Sequence, residues 1–213
     1  MVIFLNQVTQ GKEVSLKKTS KIILYLIFII VVNFGSNVWA FNTKKHLQEV
    51  VINHLETIKE FSSQFLQTNG ETIEEGNLYL KNKRIKIHYQ SPSEIIIIIA
   101  KNKAMYFNKD LQELEYFNPN KSLASYFYNI FYNTTFLNEA NFEEKNNYIV
   151  ISKNLIVDQE KIIIKIFIEQ HPMIVRKLRI EKSDSVITFS ILNHNFNPNL
   201  TDKDFSMINP IVK

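Results

Sequence analysis

The chain has 213 residues, a formal net charge of +4 and 45% hydrophobic residues, which is enough material for one domain with a sizeable core. It contains no cysteine. This excludes disulfide scaffolds, thiolate zinc sites, cysteine nucleophiles and a lipid anchor attached through an N-terminal cysteine.

The first 40 residues have the layout of a secretory signal peptide. Lysines within 17–21 precede an apolar run at 22–32, and the small residue Ala40 follows. We predict that residues 1–40 are an N-terminal extension and signal peptide, cleaved between Ala40 and Phe41. The alternative is an uncleaved membrane anchor, but the run of about eleven residues is shorter than the ~20 that cross a bilayer core.

Residues 41–213 are predicted to form a single exported domain. Cleavage at residue 40 would remove four lysines and one glutamate, which lowers the net charge from +4 to +1. A protein that binds nucleic acid through phosphates needs a clustered positive field, and the remaining lysines are scattered among glutamates. We therefore expect no nucleic-acid partner.

The mature chain begins with a predicted amphipathic helix over residues 43–65, because its apolar residues recur at intervals of three and four. From Gly76 onward the period changes to two, which predicts antiparallel strands joined by tight turns. These strands lie near 77–82, 84–90, 94–100, 104–108, 112–117, 147–152, 161–169, 174–182 and 185–193. The stretch from Lys121 to Glu144 is aromatic and more helical in pattern. The predicted fold class is α+β, with one long curled antiparallel sheet and two helical segments packed against it.

Alternation places apolar residues on one face of this sheet and charged residues on the other. The simplest interpretation is an ordinary core between the sheet and its helices. Two helices, each ~10 Å across, would however not cover the whole apolar face of nine strands. An apolar hollow left uncovered by the helices would be a binding site for a lipophilic ligand.

Three groups of motifs carry a resemblance to a known family. Residues 61–67 read Phe-x-x-x-Phe-x-Gln, residues 76–81 read Gly-x-Leu-x-Leu-Lys, and the following strand closes with Tyr89 and Pro92. The second motif is aromatic and acidic and consists of Tyr106, Phe107, Asn108, Asp110 and Leu111. In the third, residues 175–210, two predicted strands lead into a segment that contains asparagines, a Leu, an Asp, a Phe and a proline. Together these motifs resemble the periplasmic outer-membrane lipoprotein carrier family (LolA) over about residues 42 to 211.

The resemblance implies an incomplete, half-open barrel whose apolar concave face is covered by the N-terminal helix and a mid-chain helical lid. It also implies a function: a periplasmic carrier, in a Gram-negative bacterium, that binds the acyl chains of lipoproteins released from the inner membrane. The implied partners are triacylated lipoproteins as cargo, the inner-membrane lipoprotein-release transporter complex and a LolB-like outer-membrane acceptor. The acceptor of that pathway is anchored through a cysteine, so a chain without cysteine resembles the soluble shuttle, expected as a monomer.

Sixteen residues are predicted to contact the cargo, from the sheet, the first helix and the lid. They are Phe61, Phe65, Leu78, Leu80, Ile85, Ile87, Tyr89, Met105, Phe107, Tyr126, Phe127, Phe131, Ile164, Ile166, Leu178 and Ile180. The family often carries Arg-Pro after its Leu-x-Leu-Lys strand, where this chain has Asn82 and Lys83. Arg84 is therefore the candidate for a lid latch.

Other functions have less support in the sequence. No Gly-x-Ser-x-Gly or His-Glu-x-x-His motif is present, and the carboxylates are scattered, so we expect no enzyme activity, no metal and no cofactor. A sensor of the same fold is expected to need a further domain. A periplasmic carrier or sensor of another lipid, either a phospholipid or a glycolipid, remains the alternative.

Overall fold

The computed structural model describes residues 45–122, 124–157 and 159–211. By its internal contacts the chain divides into two compact units, Met1–Leu47 and Gln48–Lys213, and the second contains the whole sheet. The predicted signal peptide, residues 1–40, and its cleavage site at Ala40 and Phe41 lie outside the described residues.

The described residues build one antiparallel sheet of eleven strands. In chain order these are β1 (Glu60–Thr68), β2 (Ile73–Lys81), β3 (Arg84–Ser91), β4 (Ile95–Ile99), β5 (Ala104–Asn108), β6 (Glu113–Phe117), β7 (Asn141–Lys145), β8 (Tyr148–Val157), β9 (Glu160–Gln170), β10 (Met173–Glu181) and β11 (Val186–Asn195). Their spatial order is β6-β5-β4-β3-β2-β1-β11-β10-β9-β8-β7, so β1 and β11 join the two halves and β6 and β7 are the edges. The sheet is therefore an incomplete barrel, which confirms the predicted fold class.

Two helices accompany the sheet. Helix α1 covers residues 45–57, and helix α2 covers Ala124–Tyr132 in the connection between β6 and β7. On α2 the buried side chains are Phe127, Tyr128, Ile130 and Phe131. The Phe127 ring meets Phe189 of β11 edge-on at 4.7 Å between centroids, and the Phe131 ring lies 5.6 Å from that of Phe61 on β1. The amphipathic helix α2 thus packs across the centre of one side of the sheet, which is its inner face.

The predicted first helix is too long. It ends at residue 57, and the chain turns through the Ile58 N–H bond to the Leu55 carbonyl before β1 begins. Phe61 and Phe65, expected on this helix, are instead on β1, where they are buried at 1% and 3% exposure on either side of the buried Ser63. Residues four apart lie on one face of a helix and also on one face of a strand. The spacing of Phe61 and Phe65 therefore could not distinguish a helix from a strand.

The mid-chain segment is also less helical than predicted. After α2 and a 3-10 turn at Thr134–Leu137, residues Asn141–Lys145 form β7, which pairs with β8. Only Phe142 is buried in this edge strand, so the sequence carries almost no alternation there. The other predicted strands are confirmed. Their bounds agree within two residues, except that β2 begins four residues before its predicted start and β8 ends five residues after its predicted end.

The outer face of the sheet has a core of its own, which the sequence did not predict. Met105 and Phe107 were expected on the same face as Ile85 and Ile87, but Ile85 pairs with Ile99 and Ile99 with Ala104, so Ala104 takes the inner position. Met105 and Phe107 face the opposite side. There they pack with Ile98 and Phe205, flanked by the partly buried Tyr79, Ile96, Leu114, Leu200 and Met207.

The segment that covers this outer core is the C-terminal residues 196–211. Hydrogen bonds hold it to the sheet: Lys81 donates to the Leu200 carbonyl at 2.6 Å, and the Tyr116 hydroxyl donates to the Met207 carbonyl at 2.7 Å. A capping box between Thr201 and Asp204 shapes the short 3-10 turn that carries Phe205. In the described part of the chain no helix is long and apolar enough to span a membrane.

Candidate functional site

An apolar cavity of about 300 Å³ lies between α2 and the inner face of the sheet. Its walls come from both halves of the sheet, from α2 and from the chain that leads into α2. The lining residues are Gln67, Ile87, Tyr89, Ile97, Ile99, Phe117, Ser122, Ala124, Phe127, Ile180, Ile187 and Phe189. None of these described residues carries a formal charge, so the cavity suits an apolar guest.

The cavity forms where α2 stops covering the sheet. Phe127 rests on Phe189 at the sheet centre, and the alternation of β3 and β4 turns Ile87 and Ile97 toward the space beside that contact. Ile180 and Ile187 are paired across β10 and β11 and close the opposite wall. The hollow is therefore left by a short helix that crosses a wide, curled sheet.

Four of the sixteen predicted contact residues line this cavity: Ile87, Tyr89, Phe127 and Ile180. The others lie elsewhere, and most belong to the packed core. Leu78, Leu80, Ile85, Phe61, Phe65, Ile164, Ile166, Leu178 and Phe131 are all at most 4% exposed. Tyr126 packs on Phe136 of the turn after α2, at 6.0 Å between ring centroids.

Eight lining residues were missed by the sequence analysis. Ile97, Ile99, Ile187 and Phe189 stand on predicted strands, and counting the register outward from Ile85 and Ile180 would have placed them on the inner face. Phe117 ends the predicted strand at 112–117 and pairs with Ala104, so the same count would have reached it. Ser122 precedes α2 and Ala124 is its first residue, and neither carries a periodic signal. Gln67 was missed because the first residues of its strand, β1, were predicted to be the end of the first helix.

One end of the cavity is polar. The Tyr89 hydroxyl donates to the Gln67 side-chain carbonyl at 2.7 Å, and the Gln67 amide in turn donates to the carboxylate of Glu74. Burial, and secondarily the charge of Glu74, raises the pKa of Tyr89 well above its ordinary value. The hydroxyl therefore stays protonated and donates throughout the physiological pH range.

Several contacts hold the C-terminal end of α2 to the rest of the domain. The Tyr132 hydroxyl donates to the backbone carbonyl of Arg84 at 3.1 Å, and Thr134 donates to the Glu56 carboxylate of α1 at 3.1 Å. The Arg84 guanidinium points to the C-terminal segment, where it pairs with Asp202 at 2.5 Å and lies over the Phe205 ring. Arg84 thus meets α2 through its main chain, whereas its side chain fastens the outer core.

The similarity of this chain to known proteins is structural. No protein-family model matches it, and no curated protein sequence matches it. An uncharacterized conserved protein from Thermus thermophilus superposes with a TM-score of 0.50 at 6% identity, over 74% of this chain and 91% of that one. The Thermus protein shares the fold.

Two further solved structures have lower similarity. A DUF1329 family protein from Desulfovibrio piger has a TM-score of 0.48 at 9% identity, over 76% of this chain and 97% of that one. A putative outer membrane lipoprotein-sorting protein domain from Vibrio parahaemolyticus has a TM-score of 0.45 at 9% identity, over 76% and 96%.

The described residues contain no cluster of three or more His, Asp or Glu side chains arranged to hold a metal ion. His54 and His194 are the histidines whose pKa burial lowers, and neither lines the apolar cavity. The chemistry that the cavity offers is burial of apolar surface, with one amide and one hydroxyl at its end.

The Tyr132 contact leads to a prediction about access to the cavity. Tyr132→Phe removes one neutral hydrogen bond between α2 and β3, which is worth about 1 kcal/mol. If α2 must move to admit a guest, Nile red bound in the cavity should dissociate roughly fivefold faster, as stopped-flow fluorescence would measure.

Tyr128→Phe is the matched control, because it makes the same chemical change one turn earlier on α2. It should leave the dissociation rate of Nile red unchanged. Equal rates in wild-type protein and Tyr132→Phe would contradict a role of this hydrogen bond in access.

Proposed function

We propose that this protein is a periplasmic carrier that shields the acyl chains of lipoproteins on their way from the inner to the outer membrane. The observation that carries the proposal is the uncharged cavity between α2 and the inner face of the sheet. The order of the LolA-like motifs along nearly the whole mature chain, together with the predicted signal peptide, supports the choice of cargo and compartment.

The energetics of the task explain why it needs a sheltered apolar surface. A triacylated lipoprotein exposes on the order of forty methylenes, and transit through water would cost on the order of 30 kcal/mol at ~0.8 kcal/mol each. Burial of apolar surface has little directional preference, so isoleucines and phenylalanines can hold chains of different lengths. Transfer to an acceptor then requires only a modest difference in affinity, because both partners bury a similar area.

The size of the cavity indicates how the carrier would load. A methylene is about as large as a water molecule, which occupies ~30 Å³ in the liquid, so forty methylenes need on the order of 1000 Å³. The cavity of about 300 Å³ holds part of one chain. We propose that α2 acts as the lid, and that full loading displaces it from Phe189 and Phe61.

The proposed partners are the inner-membrane lipoprotein-release complex, which would load the carrier, and a LolB-like outer-membrane acceptor, which would unload it. We propose that the carrier works as a monomer and catalyses no reaction. The absence of cysteine supports a soluble shuttle, because the chain has no thiol for a lipid anchor.

Native mass spectrometry of residues 41–213, purified from a periplasm that is making lipoproteins, tests the proposal. We expect a bound triacylated species, and purified protein mixed with a tripalmitoylated lipopeptide should bind it. The modest cavity favours a second candidate, a carrier of a phospholipid or glycolipid, which would appear as those lipids alone. An empty protein that ignores the added lipopeptide would overturn both.

A further inference from the structure

The cavity contains one side-chain amide, that of Gln67, and its surroundings fix which way the amide points. Its nitrogen donates to the Glu74 carboxylate, and its oxygen accepts from Tyr89 at 2.7 Å. Exchanging the two ends of the amide would set its carbonyl oxygen against the carboxylate, which repels it. Glu74 therefore determines the orientation of the amide.

In this orientation the Gln67 side chain has hydrogen-bonding capacity left over. The amide nitrogen has a second N–H, and the carbonyl oxygen has a second lone pair. Gln67 is half-buried and lines the cavity, whose other described walls are almost entirely aliphatic or aromatic. A guest that places an uncharged carbonyl or N–H at this end gains a hydrogen bond where water is largely displaced.

The Glu74 carboxylate also sets the charge that this end of the cavity accepts. Two acceptors bonded to the two N–H groups of one amide lie roughly 5 Å apart, so an atom of the guest at Gln67 would be that close to Glu74. None of the described lining residues supplies a compensating positive charge. A carboxylate at this position would be repelled, whereas an ester or amide would not.

We propose that Gln67, Tyr89 and Glu74 form a selectivity site that accepts acyl chains with an uncharged ester or amide linkage and disfavours free fatty acids. The inference rests on the proposed function and specifies its substrate class. The acyl chains of lipoproteins are joined through such uncharged linkages. Free fatty acids, which have a single chain and would fit the cavity more easily, would then not compete for it.

The Coulomb effect of Glu74 on Tyr89 supports the geometry. The charge of this carboxylate contributes to the raised pKa of the Tyr89 hydroxyl, so its field reaches the atoms that line the polar end. The same field acts on the head of a guest that replaces water there. An anionic head suffers the same kind of destabilisation as a tyrosinate.

The test compares two ligands with the same alkyl chain, one with an uncharged amide head and one with an anionic carboxylate head; Glu74→Gln separates the effect of charge from that of the N–H donors that only the amide has. Dodecanamide and dodecanoate displace Nile red from residues 41–213 at pH 8, where the fatty acid is ionised. We expect wild-type protein to prefer the amide by about tenfold or more. Glu74→Gln keeps an acceptor for the Gln67 N–H but removes the charge, so it should bring the two affinities within about twofold of each other.

Glu75→Gln is the matched control, since Glu75 is the next residue on β2, is exposed and faces the other side of the sheet. It should keep the wild-type preference. If both ligands bind wild-type protein equally, or if Glu75→Gln removes the preference as fully as Glu74→Gln, the selectivity site is refuted while the carrier stands. If neither ligand displaces Nile red and the lipopeptide also fails to bind, the carrier itself is refuted.

Discussion

An Ile87→Glu variant is expected to remain folded and to lose affinity for tripalmitoylated lipopeptide by about a hundredfold. Ile87 is 5% exposed, but it lines the cavity, where a carboxylate can keep some water. An entering acyl chain must remove that water from the charge, which costs several kcal/mol. Titration of the lipopeptide against the folded variant measures the loss, and circular dichroism verifies the fold.

Ile85→Glu supplies the contrast on the same strand and face. Ile85 is 0% exposed and is not part of the cavity wall, so a carboxylate there has no room for water. We expect the free energy of unfolding to fall by more than about 3 kcal/mol. If Ile87→Glu unfolds the protein as severely as Ile85→Glu does, the space beside Ile87 is packed core and the cavity has no role in binding.

The fold could be predicted from the sequence to the extent that period-two alternation is strong. β9 carries four isoleucines on one face and is predicted within two residues of its true ends. β1 and β7 were missed for opposite reasons. In β1 the spacing of Phe61 and Phe65 satisfies two periodicities, whereas in β7 a single buried phenylalanine defines none.

The face of a strand was harder to predict than its existence. Alternation separates the residues of β5 into two sets, but both Met105 and Tyr106 are large and apolar enough to face a core. The turn decides between them, because the Ala100 N–H bonds the Lys103 carbonyl and brings Ala104 opposite Ile99. Counting through that turn would have moved Met105 and Phe107 to the outer face.

The candidate site was only partly predictable because it is a property of packing. The sequence marks Ile85 and Ile87 identically, as alternate apolar residues of β3. One is core and the other is cavity wall because α2 crosses the sheet at Phe189 and Phe61, a placement set by contacts distant in sequence. The Gln67 amide depends on strand pairing as well, since Glu74 reaches it from β2 across a hairpin and Tyr89 reaches it from β3.

A Gly76→Ala variant is expected to lose about 3 kcal/mol or more of unfolding free energy, which lowers the Tm by roughly 6–12 °C. A Cβ at this position would lie 2.1 Å from the main-chain oxygen of His88 and 2.9 Å from the Phe65 ring, so β2 and β3 would have to separate. Gly76 also pairs with Tyr89 next to the bulge at Gln90 of β3, and Phe65 packs edge-on against Tyr89 at 5.0 Å.

The loss of stability should therefore be accompanied by disturbance of the polar end of the cavity, visible as a weaker preference for dodecanamide over dodecanoate. Gly70→Ala is the control for glycine replacement itself: Gly70 has φ of +97° and open space around it, so only the backbone conformation is penalised, by about 1–2 kcal/mol. Thermal and urea unfolding measure both variants. Equal losses at the two positions would show that β2 and β3 can yield at Gly76, and the close approach of the strands would then not be what requires glycine.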